Sequence, residues 1–395
     1  MVSGLRVTRL PRRTRRVLIG VVVASIAATV GSPAGLAQSA WVVVPSPNTS
    51  STEQNVLLGV TCVSSSQCWA VGSYFNSSLG LSQTLIEEWD GISWSIVSSP
   101  NVPGVFQELR SVTCVSNTEC WAVGWYRDNS LGLNHTLIEE WDGTSWSIVS
   151  SPDLGERGAE LFDVTCASSS TCFAVGWHFN SNDTRGHPLI EEWDGVKWSA
   201  VPPPTPGGNE GVLAGVTCAS RSRCWAVGAQ YMGATGATLV ERWNAKSWSV
   251  VDSPNPSSAS HSSLGKVTCL SNGNCWAVGS TVEAPGFNAT LVERWSGGSW
   301  SIVPSANSNR AENFLQDVSC LQRSDCWAVG TTQDASGANP QALLEHWNGS
   351  SWSLVNAPTP TRALLSGITC QRGECWAVGT GSDSGQFQTV ILHSG

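Results

Sequence analysis

One short motif, repeated seven times, constrains the fold of this chain more than any other sequence feature. Its first copy, residues 60–72, reads VTCVSSSQCWAVG: two β-prone runs with a cysteine on each side of a polar turn. Successive first cysteines lie 52, 52, 52, 51, 51 and 50 residues apart, a regularity typical of a repeat protein. The pairs use all 14 cysteines and define repeats 1 to 7: Cys62/Cys68, Cys114/Cys120, Cys166/Cys172, Cys218/Cys224, Cys269/Cys275, Cys320/Cys326 and Cys370/Cys375.

Each repeat contains four short β-prone runs, which we call strands a to d. In repeat 1 they are residues 57–62, 68–72, 84–89 and 93–97. An Asp-Gly turn joins strands c and d, and a proline follows strand d, where it would interrupt a central ladder. Four strands in a period of about 50 residues, with no helical pattern, predict one blade of a β-propeller.

The two ends of the chain predict how the blades close into a ring. Repeat 7 stops after strand c, whereas residues 41–48 match strand d and the following loop of repeat 1. The sequence therefore predicts an all-β, seven-bladed propeller of four-stranded antiparallel blades, formed by residues 38–395 as one domain. Residues 40–45 would complete blade 7 as its fourth strand. The blade cores are expected to start near residues 56, 108, 160, 212, 263, 314 and 364.

The first 37 residues have the composition of an export signal. Six arginines precede an apolar run at residues 17–31, and small residues follow. An apolar run of 15 residues is short for a membrane span, and cleavage near Ala37 is expected. We therefore predict a signal peptide at residues 1–37 and a secreted protein without a membrane span. The general secretory and twin-arginine routes both stay open.

Export bears on the cysteines and on the partners. Paired cysteines in an oxidising compartment indicate disulfides, whereas two thiols per repeat fall short of a four-ligand metal site. The formal net charge is -9, and six of the 21 basic residues lie in the signal, against 30 acids in the rest. Nucleic acid and an acidic membrane surface are disfavoured, because both require clustered Lys and Arg. We expect a monomer with no metal and no cofactor.

Tryptophan and glutamate also recur with the repeat. Nineteen of the 21 tryptophans occupy three fixed positions, which predicts packing between blades. Trp89 and Trp94, for example, should face each other across the strand c–d hairpin. Six equivalent acids around a ring favour a hydrogen-bonding role inside each blade over acid–base catalysis. These acids are Glu87, Glu139, Glu191, Glu241, Glu293 and Glu345.

Strands b to d resemble the repeat of kelch-type propellers, which include the galactose-oxidase-type proteins. The segments WAVG, TLIEEWDG and SWSIV are similar to the glycine-ended strand, the aromatic strand and the spaced tryptophan of that repeat. The resemblance covers nearly all of the chain after the signal and implies a seven-bladed fold. This chain departs from it by a single glycine after strand b and by a cysteine pair in every repeat. Copper chemistry of the galactose-oxidase type needs a free cysteine, and all 14 are assigned to pairs.

The loops between strands b and c hold the candidate binding residues. In an up-and-down blade these loops share one face of the disc with the d–a loops, and this face varies between repeats. Aromatic rings beside Asp, Asn and Arg suit the apolar faces and hydroxyls of a sugar, and also suit a peptide. The alternative is that the rings pack beneath their own loops. The candidates, in repeats 1 to 3, are Tyr74, Phe75, Trp125, Tyr126, Arg127, Asp128, Trp177 and His178.

We therefore predict a secreted binding module for carbohydrate or another extracellular polymer, with carbohydrate or an extracellular protein as partner. One alternative is a glycan-active hydrolase or lyase that uses residues near the central channel. Another is a structural cell-surface protein without a small ligand. No Ser/His/Asp order, phosphate loop or His pair at ligand spacing occurs, so the sequence favours binding over catalysis. The channel candidates are Glu108, Arg110, Asp163, Asn313 and Asp317.

Overall fold

In the computed structural model, the described residues fold as an all-β structure built from repeated four-stranded antiparallel sheets, the arrangement of a β-propeller. The described residues include no helix that is long and apolar enough to cross a membrane. The predicted signal peptide at residues 1–37 lies outside them. The described residues are 40–152, 157–179, 185–202, 204, 210–232, 235–271, 273–284, 287–383 and 385–395.

Strands a and b are the long strands of each repeat. Strand a is β2 (Asn55–Ser64), β6 (Gln107–Ser116), β10 (Ala159–Ser168), β14 (Gly211–Ser220), β18 (His261–Cys269), β22 (Glu312–Gln322) and β26 (Arg362–Gln371). Strand b is β3 (Gln67–Asn76), β7 (Glu119–Asp128), β11 (Thr171–His178), β15 (Arg223–Met232), β19 (Cys275–Ala284), β23 (Asp325–Gln333) and β27 (Glu374–Ser382).

Strand c is long as well, and strand d is short. Strand c is β4 (Leu81–Trp89), β8 (Leu133–Trp141), β12 (His187–Trp193), β16 (Thr235–Trp243), β20 (Phe287–Ser296), β24 (Gln341–Trp347) and β28 (Gln388–Ser394). Strand d is β5 (Trp94–Val97), β9 (Trp146–Val149), β13 (Trp198–Ala200), β17 (Trp248–Val250), β21 (Ser299–Ile302) and β25 (Trp352–Leu354). The first described strand is β1 (Val42–Val44).

Strand β1 stands in the strand d position of repeat 7. It pairs antiparallel with β28, so that Val43 lies opposite Leu392. Repeats 1, 2 and 3 form three further separate four-stranded sheets. Repeats 4 to 6 differ from the predicted separate sheets, because single parallel bridges join them into one twelve-stranded sheet. The bridges form where the start of strand c and the start of the next strand a approach each other on the same face.

The hydrophobic core lies between neighbouring repeats, as the recurring tryptophans predict. The ring of Trp69 in strand b lies 4.8 Å from Trp141 and 5.2 Å from Trp146, both in repeat 2. Trp376 in repeat 7 lies 4.9 Å from Trp89 and 5.5 Å from Trp94 in repeat 1. The last repeat therefore packs on the first by the same contact that joins repeats 1 and 2. Edge-to-face and tilted aromatic pairs at these distances add to simple burial.

The glycine that ends the WAVG segment is explained by the same packing. A Cβ atom on Gly72 would collide with the carbonyl oxygen of Val56 on the paired strand a. Gly124 and Gly176 meet the carbonyl oxygens of Glu108 and Glu160 in the same way. Strands a and b can therefore approach this closely only where strand b lacks a side chain.

Seven disulfides join the predicted cysteine pairs, and no described cysteine is free. In repeat 1, Cys62 lies opposite Cys68 in the a–b hairpin, with their Cα atoms 3.9 Å apart. Each bridge closes a loop of only a few residues, so on the chain-entropy model each would stabilise the fold by about 2 kcal/mol. The bridges are Cys62–Cys68, Cys114–Cys120, Cys166–Cys172, Cys218–Cys224, Cys269–Cys275, Cys320–Cys326 and Cys370–Cys375.

The two cysteines of each bridge differ in exposure, which the sequence did not predict. The first cysteine, in strand a, is half-buried, whereas the second, in strand b, is buried in the hydrophobic core between repeats. Cys120, for example, lies in the cluster that contains Trp69 of repeat 1. The bridges therefore belong to the scaffold and not to an accessible site. The buried strand b cysteines are Cys68, Cys120, Cys172, Cys224, Cys275, Cys326 and Cys375.

The recurring strand c glutamates link neighbouring repeats, whereas the sequence predicts hydrogen bonds inside one blade. Ser99, after strand d of repeat 1, donates to Glu139 of repeat 2 at 3.0 Å, and Thr84 Oγ1 lies 2.6 Å from Ser99 Oγ. The reason is that the glutamate side chain points out of its sheet toward the preceding repeat. We call this hydrogen-bonded series the Thr–Ser–Glu chain. It recurs as Thr389–Ser46–Glu87, Thr136–Ser151–Glu191, Thr238–Ser253–Glu293 and Thr290–Ser305–Glu345.

Candidate functional site

The predicted binding residues lie on strands, which corrects their placement in loops. Strand β3 continues to Asn76 and pairs with β4 until a four-residue turn, 77–80. Strands β7 and β11 likewise run on through Asp128 and His178. The Ser and Asn residues after strand b are typical of loops, which is why the sequence predicts loops there. In the structure, however, strands b and c stay paired beyond the glycine that ends the WAVG segment. The candidate side chains therefore alternate between the two faces of each sheet.

Two of the tyrosines face backward and pack against the preceding repeat. Tyr74 packs against the cluster that contains Trp376, and its hydroxyl donates to Gln83 Oε1 at 2.8 Å. Tyr126 packs against the cluster that contains Trp69 and stacks on His135 at 5.2 Å. Both rings thus serve packing, the alternative that the sequence left open.

Four of the remaining candidates, Phe75, Arg127, Asp128 and His178, are polar or exposed residues near the end of strand b. Asp128 Oδ1 accepts bonds from the Ser130 and Leu131 amides and so stabilises its own turn. Phe75 is 39% exposed, and Arg127 is exposed. His178 lies 5.8 Å from His187 across its hairpin. The eight predicted residues therefore do not converge on one site.

Trp125 is half-buried and lies on the same side of β7 as Trp121 and Val123, which pack against repeat 3. Asn134 lies on the same side, because the strand partner of Trp125 is Thr136 and Asn134 is two positions from Thr136. Asn134 Nδ2 donates to Glu160 Oε1 of repeat 3 at 2.6 Å. Glu160 is in turn the strand partner of Trp177. Trp125, Glu160 and Trp177 therefore follow one another around the variable face.

A second acid and an arginine complete this surface. Arg110 Nε lies 2.8 Å from Glu108 Oε1, and the guanidinium lies 5.3 Å from the ring centre of Phe162 in repeat 3. Glu108 also accepts a bond from Ser73 of repeat 1 and is the strand partner of Trp125. We call Glu108, Arg110, Trp125, Glu160, Phe162 and Trp177 the aromatic–acid surface.

Other repeats lack this pairing of tryptophan with acid. At the position of Trp125 they carry small residues: Ser73, Ala229, Ser280, Thr331 and Thr380. Sequence reasoning missed Glu160 and Phe162 because it compared strand b across repeats and not strand a. Aligning strand a would have revealed them, since Val56 stands at the position of Glu160 in repeat 1.

Two further acids that the sequence placed near a central channel, Asp163 and Asp317, are held by hydrogen bonds within the fold. Asp163 accepts from Ser111 Oγ at 2.6 Å, from the Val164 and Val216 amides, and from Lys266 Nζ at 2.6 Å. Ser111 belongs to repeat 2, Val216 to repeat 4 and Lys266 to repeat 5, so this carboxylate of repeat 3 links four repeats. Sequence reasoning missed Lys266, although it is one of only three lysines.

Asp317 plays the matching part in repeats 6 and 7. Its carboxylate accepts from the Val318 and Ile368 amides at 2.7 and 2.8 Å. Burial raises the pKa of Asp317 to about 6, and the nearby Lys266 ammonium opposes the rise. Burial lowers the pKa of Lys266, but Asp163 and Asp317 outweigh it and raise the pKa above its usual value. Both buried carboxylates thus have hydrogen-bond donors, and the loss of a donor would leave a buried acid without its partner.

The channel candidate Asn313 is buried near the start of strand β22, where its Oδ1 accepts hydrogen bonds from Ser308 in the preceding loop. Over the part of the chain that the structure describes, no group of three or more His, Cys, Asp or Glu side chains is placed to hold a metal ion. The face therefore offers aromatic rings, two acids and one arginine, which suit recognition of a hydroxyl-rich or polar chain.

No protein-family model matches the chain, and no curated protein matches it. Solved structures do resemble it. YCF48 bound to a D1 peptide superposes with a TM-score of 0.52 at 14% identity, covering 90% of this chain and 94% of that chain. A PL25 ulvan lyase bound to -[GlcA(1-4)Rha3S]- gives a TM-score of 0.53 at 8% identity, covering 86% and 93%. At these identities the likeness concerns the fold alone, and the chain has the fold of a β-propeller.

Proposed function

We propose that the protein is a secreted, seven-bladed β-propeller that binds carbohydrate or another extracellular polymer on the aromatic–acid surface. The observation that carries this proposal is the row Trp125, Glu160 and Trp177, which runs across two neighbouring repeats. Indole rings can stack on the apolar faces of sugar rings, while the acids accept bonds from hydroxyls. A row that spans repeats suits a chain-like ligand better than a small molecule.

The ring of seven blades is supported by contacts between the last repeat and the first. Trp376 packs on Trp89 and Trp94, as strand b tryptophans do elsewhere in the chain. Ser46, just after β1, donates to Glu87 of repeat 1 at 2.9 Å. The resemblance of strands b to d to kelch repeats stays a prediction within the β-propeller class.

Secretion is supported by the disulfides and by the composition of residues 1–37. Disulfides persist in oxidising compartments and are rare in the cytosol. All 14 cysteines of this chain stand in bridges. The predicted signal at residues 1–37 would provide the export.

The glycan-active enzyme is the second candidate, and it rests on the same surface. Asp163 and Asp317 are unsuited to proton transfer, because amide and ammonium donors already occupy their oxygens. Glu108 and Glu160 are the acids left near Trp125. If the protein is an enzyme, Glu108 and Glu160 would therefore have to act as its general acid and general base.

A glycan array, followed by assays of product release, tests the proposal. We expect binding to one class of polysaccharide, lost in Trp125→Ala and in Trp177→Ala. Phe287→Ala is the matched control, since this exposed aromatic lies on repeat 5. Release of reducing or unsaturated ends from a bound polysaccharide would favour the enzyme. No binding and no release would overturn both readings in favour of a structural protein.

A further inference from the structure

The a–b turns of the seven repeats and the c–d turns of repeats 1 to 6 together define a surface that we call the disulfide face. The indole Nε1 of Trp89, at the end of strand c, donates to the Ser65 carbonyl in the a–b turn at 3.1 Å. Trp141, Trp193, Trp243 and Trp347 make the equivalent bond in their repeats. This repeated bond holds both turns at the same end of the sheet.

Charge on the disulfide face is divided by repeat. Repeats 1 to 3 carry one base, Lys197, and seven acids: Glu88, Asp90, Glu119, Glu140, Asp142, Glu192 and Asp194. Among the described residues, repeats 4 and 5 carry no acid there and five bases: Arg221, Arg223, Arg242, Lys246 and Arg294. Repeats 6 and 7 are balanced, with Arg323 beside Asp325 and Arg372 near Glu374. The face is therefore bipolar.

The sign of the charge changes at one structural position. The residue before the strand c tryptophan is Glu88, Glu140 and Glu192 in repeats 1 to 3, and Arg242 and Arg294 in repeats 4 and 5. Each is the strand partner of the aromatic residue after the second cysteine. Equivalent positions of a ring lie at the same height and radius. The three glutamates and the two arginines are thus expected at the same height on the disulfide face.

The two arginines are held in place but are not neutralised. The Arg242 guanidinium lies 5.3 Å from the Trp225 ring centre and 5.9 Å from that of Trp295. Arg294 lies 5.0 Å from Trp276 and 6.0 Å from Trp347. Neither arginine forms an ion pair with a described acid. Stacking fixes the guanidinium plane while its N–H edge stays available to a carboxylate.

Like charges crowd each other on both parts of the face. Burial, with Glu119 and Asp142 nearby, raises the pKa of Glu140. Burial, with Arg323 nearby, lowers the pKa of Arg294. A partner of opposite charge would relieve the repulsion on either side.

The acidic part also exposes two aliphatic side chains at its turn tips. Ile92 is 85% exposed and Val196 is 82% exposed, the largest exposures among the large hydrophobic residues of the described chain. Side chains of this kind on a protruding turn gain stability when a partner covers them.

We propose that the disulfide face is a self-complementary surface through which two copies of this chain pair face to face. A two-fold axis in the plane of the face, passing through repeat 7, would set repeats 4, 5 and 6 of one copy on repeats 3, 2 and 1 of the other. Arg242 then meets the acids around Glu192, Arg294 meets those around Glu140, and Lys246 covers Val196. The geometry rests on the proposed seven-blade ring.

A second copy fits this face better than a long polyanion does. A polyanion bound to repeats 4 and 5 would run into the acids of repeats 1 to 3, and the chain after the signal carries 15 more acids than bases. Pairing of two copies satisfies both parts of the face at once. The proposed pairing differs from the monomer that the sequence analysis predicts.

Sedimentation velocity on the purified protein tests the pairing. We expect a dimer at about 0.1 M salt that dissociates at about 1 M, where the Debye length falls from about 10 to about 3 Å. The double variants Arg242→Glu/Arg294→Glu and Glu140→Arg/Glu192→Arg should each be monomeric. Their equimolar mixture should form a heterodimer, because each altered patch meets its altered counterpart.

Several results would overturn the pairing. They are a monomer at low salt, a dimer that neither double variant weakens, or a mixture that stays monomeric although both variants melt like the parent. Binding of heparin by the monomeric parent, lost in Arg242→Glu/Arg294→Glu, would assign the basic part to a polyanion instead. Glycan binding at Trp125 lies on the opposite face and is measured separately, so failure of either proposal leaves the other standing.

Discussion

Ser99 Oγ donates a hydrogen bond to the carboxylate of Glu139 across the boundary between repeats 1 and 2, at 3.0 Å. Equivalent Ser–Glu bonds of 2.8 to 2.9 Å join four further pairs of repeats. The hydroxyl of Ser99 also lies 2.6 Å from Thr84 Oγ1. A buried, repeated acid of this kind makes the joint between repeats sensitive to pH.

The first prediction concerns the stability of the fold against pH. Burial raises the pKa of Glu139 to about 8 and that of Glu293 to about 7, from the usual value of 4.5, although their serine partners oppose the rise. The folded chain thus holds these protons more tightly than the unfolded chain. The resulting stability is fully present below about pH 4.5 and is lost as the pH rises through 7 to 8.

We therefore expect the melting temperature to be higher at about pH 5 than at about pH 9, by about 5 °C or more, as read by scanning calorimetry. Glu139→Gln combined with Glu293→Gln is the control, since glutamine keeps an acceptor for the serine without a charge. The double variant should show a smaller difference between the two pH values. A melting temperature that is equal or higher at the alkaline pH would contradict the assignment.

The second prediction uses the two places where the Thr–Ser–Glu chain is absent. In repeat 7 Leu392 replaces the glutamate and belongs to the hydrophobic cluster against which Ala342 and Ala357 of repeat 6 pack. In repeat 4 Glu241 keeps the carboxyl, but its Oε2 has no hydrogen-bond partner among the described residues. Burial alone raises the pKa of Glu241 to about 7.

We expect Leu392→Glu to destabilise the protein by about 3 kcal/mol, because it buries a carboxyl without a donor. Glu241→Leu should leave the stability unchanged or raise it by about 1 kcal/mol, because it removes a buried carboxyl whose Oε2 has no hydrogen-bond partner among the described residues. Urea unfolding measures both. Equal losses in the two variants would show that the local donor does not decide the outcome.

The third prediction concerns the tryptophan of strand b. Trp121 lies 4.7 Å from Trp193 and 5.3 Å from Trp198, whereas Phe173 takes the same position in repeat 3 against Trp243 and Trp248. Trp121→Ala should therefore cost about 4 kcal/mol, and Trp121→Phe clearly less. The free energy of unfolding in urea gives both values. A phenylalanine as costly as alanine would mean that the position demands an indole.

The fourth prediction concerns the closing strand. Deleting residues 40–47 removes β1, the Trp41 ring that lies 5.3 Å from Trp327, and Ser46, which bonds Glu87. We expect the melting temperature to fall by about 10 °C or more, since one edge of repeat 7 is left open. A protein that lacks only residues 1–37 is the control and should melt like the parent. A deletion variant with the same melting temperature as this control would contradict the claim that β1 completes repeat 7.

Period and spacing were enough to predict the β-propeller class, the cysteine pairs and the tryptophan packing. These features depend on local strand pairing, such as Cys62 opposite Cys68, and on identical units stacking against each other. The order of strands around repeat 7 could also be predicted, because the segment beginning at Trp41 matches the one beginning at Trp94.

Contacts between repeats could not be predicted in detail, because one period does not reveal which face of a sheet meets its neighbour. The Ser99–Glu139 bond joins residues 40 positions apart, and Lys266 reaches Asp163 over 103 positions. For the same reason, the sequence could not show which candidate side chains lie on one surface. Trp125 and Tyr126 are adjacent in sequence, but alternation along β7 sends one ring toward repeat 3 and the other toward repeat 1.

The fifth prediction tests the central claim, that Trp125 and Trp177 form a binding surface. Isothermal titration calorimetry would measure the affinity of the tightest array ligand for the parent, for Trp125→Ala/Trp177→Ala and for Phe287→Ala. We expect the double variant to bind at least about tenfold more weakly, because each stacked ring contributes on the order of 1 kcal/mol. Phe287→Ala should bind like the parent. Parent-like affinity in a folded double variant would contradict the claim.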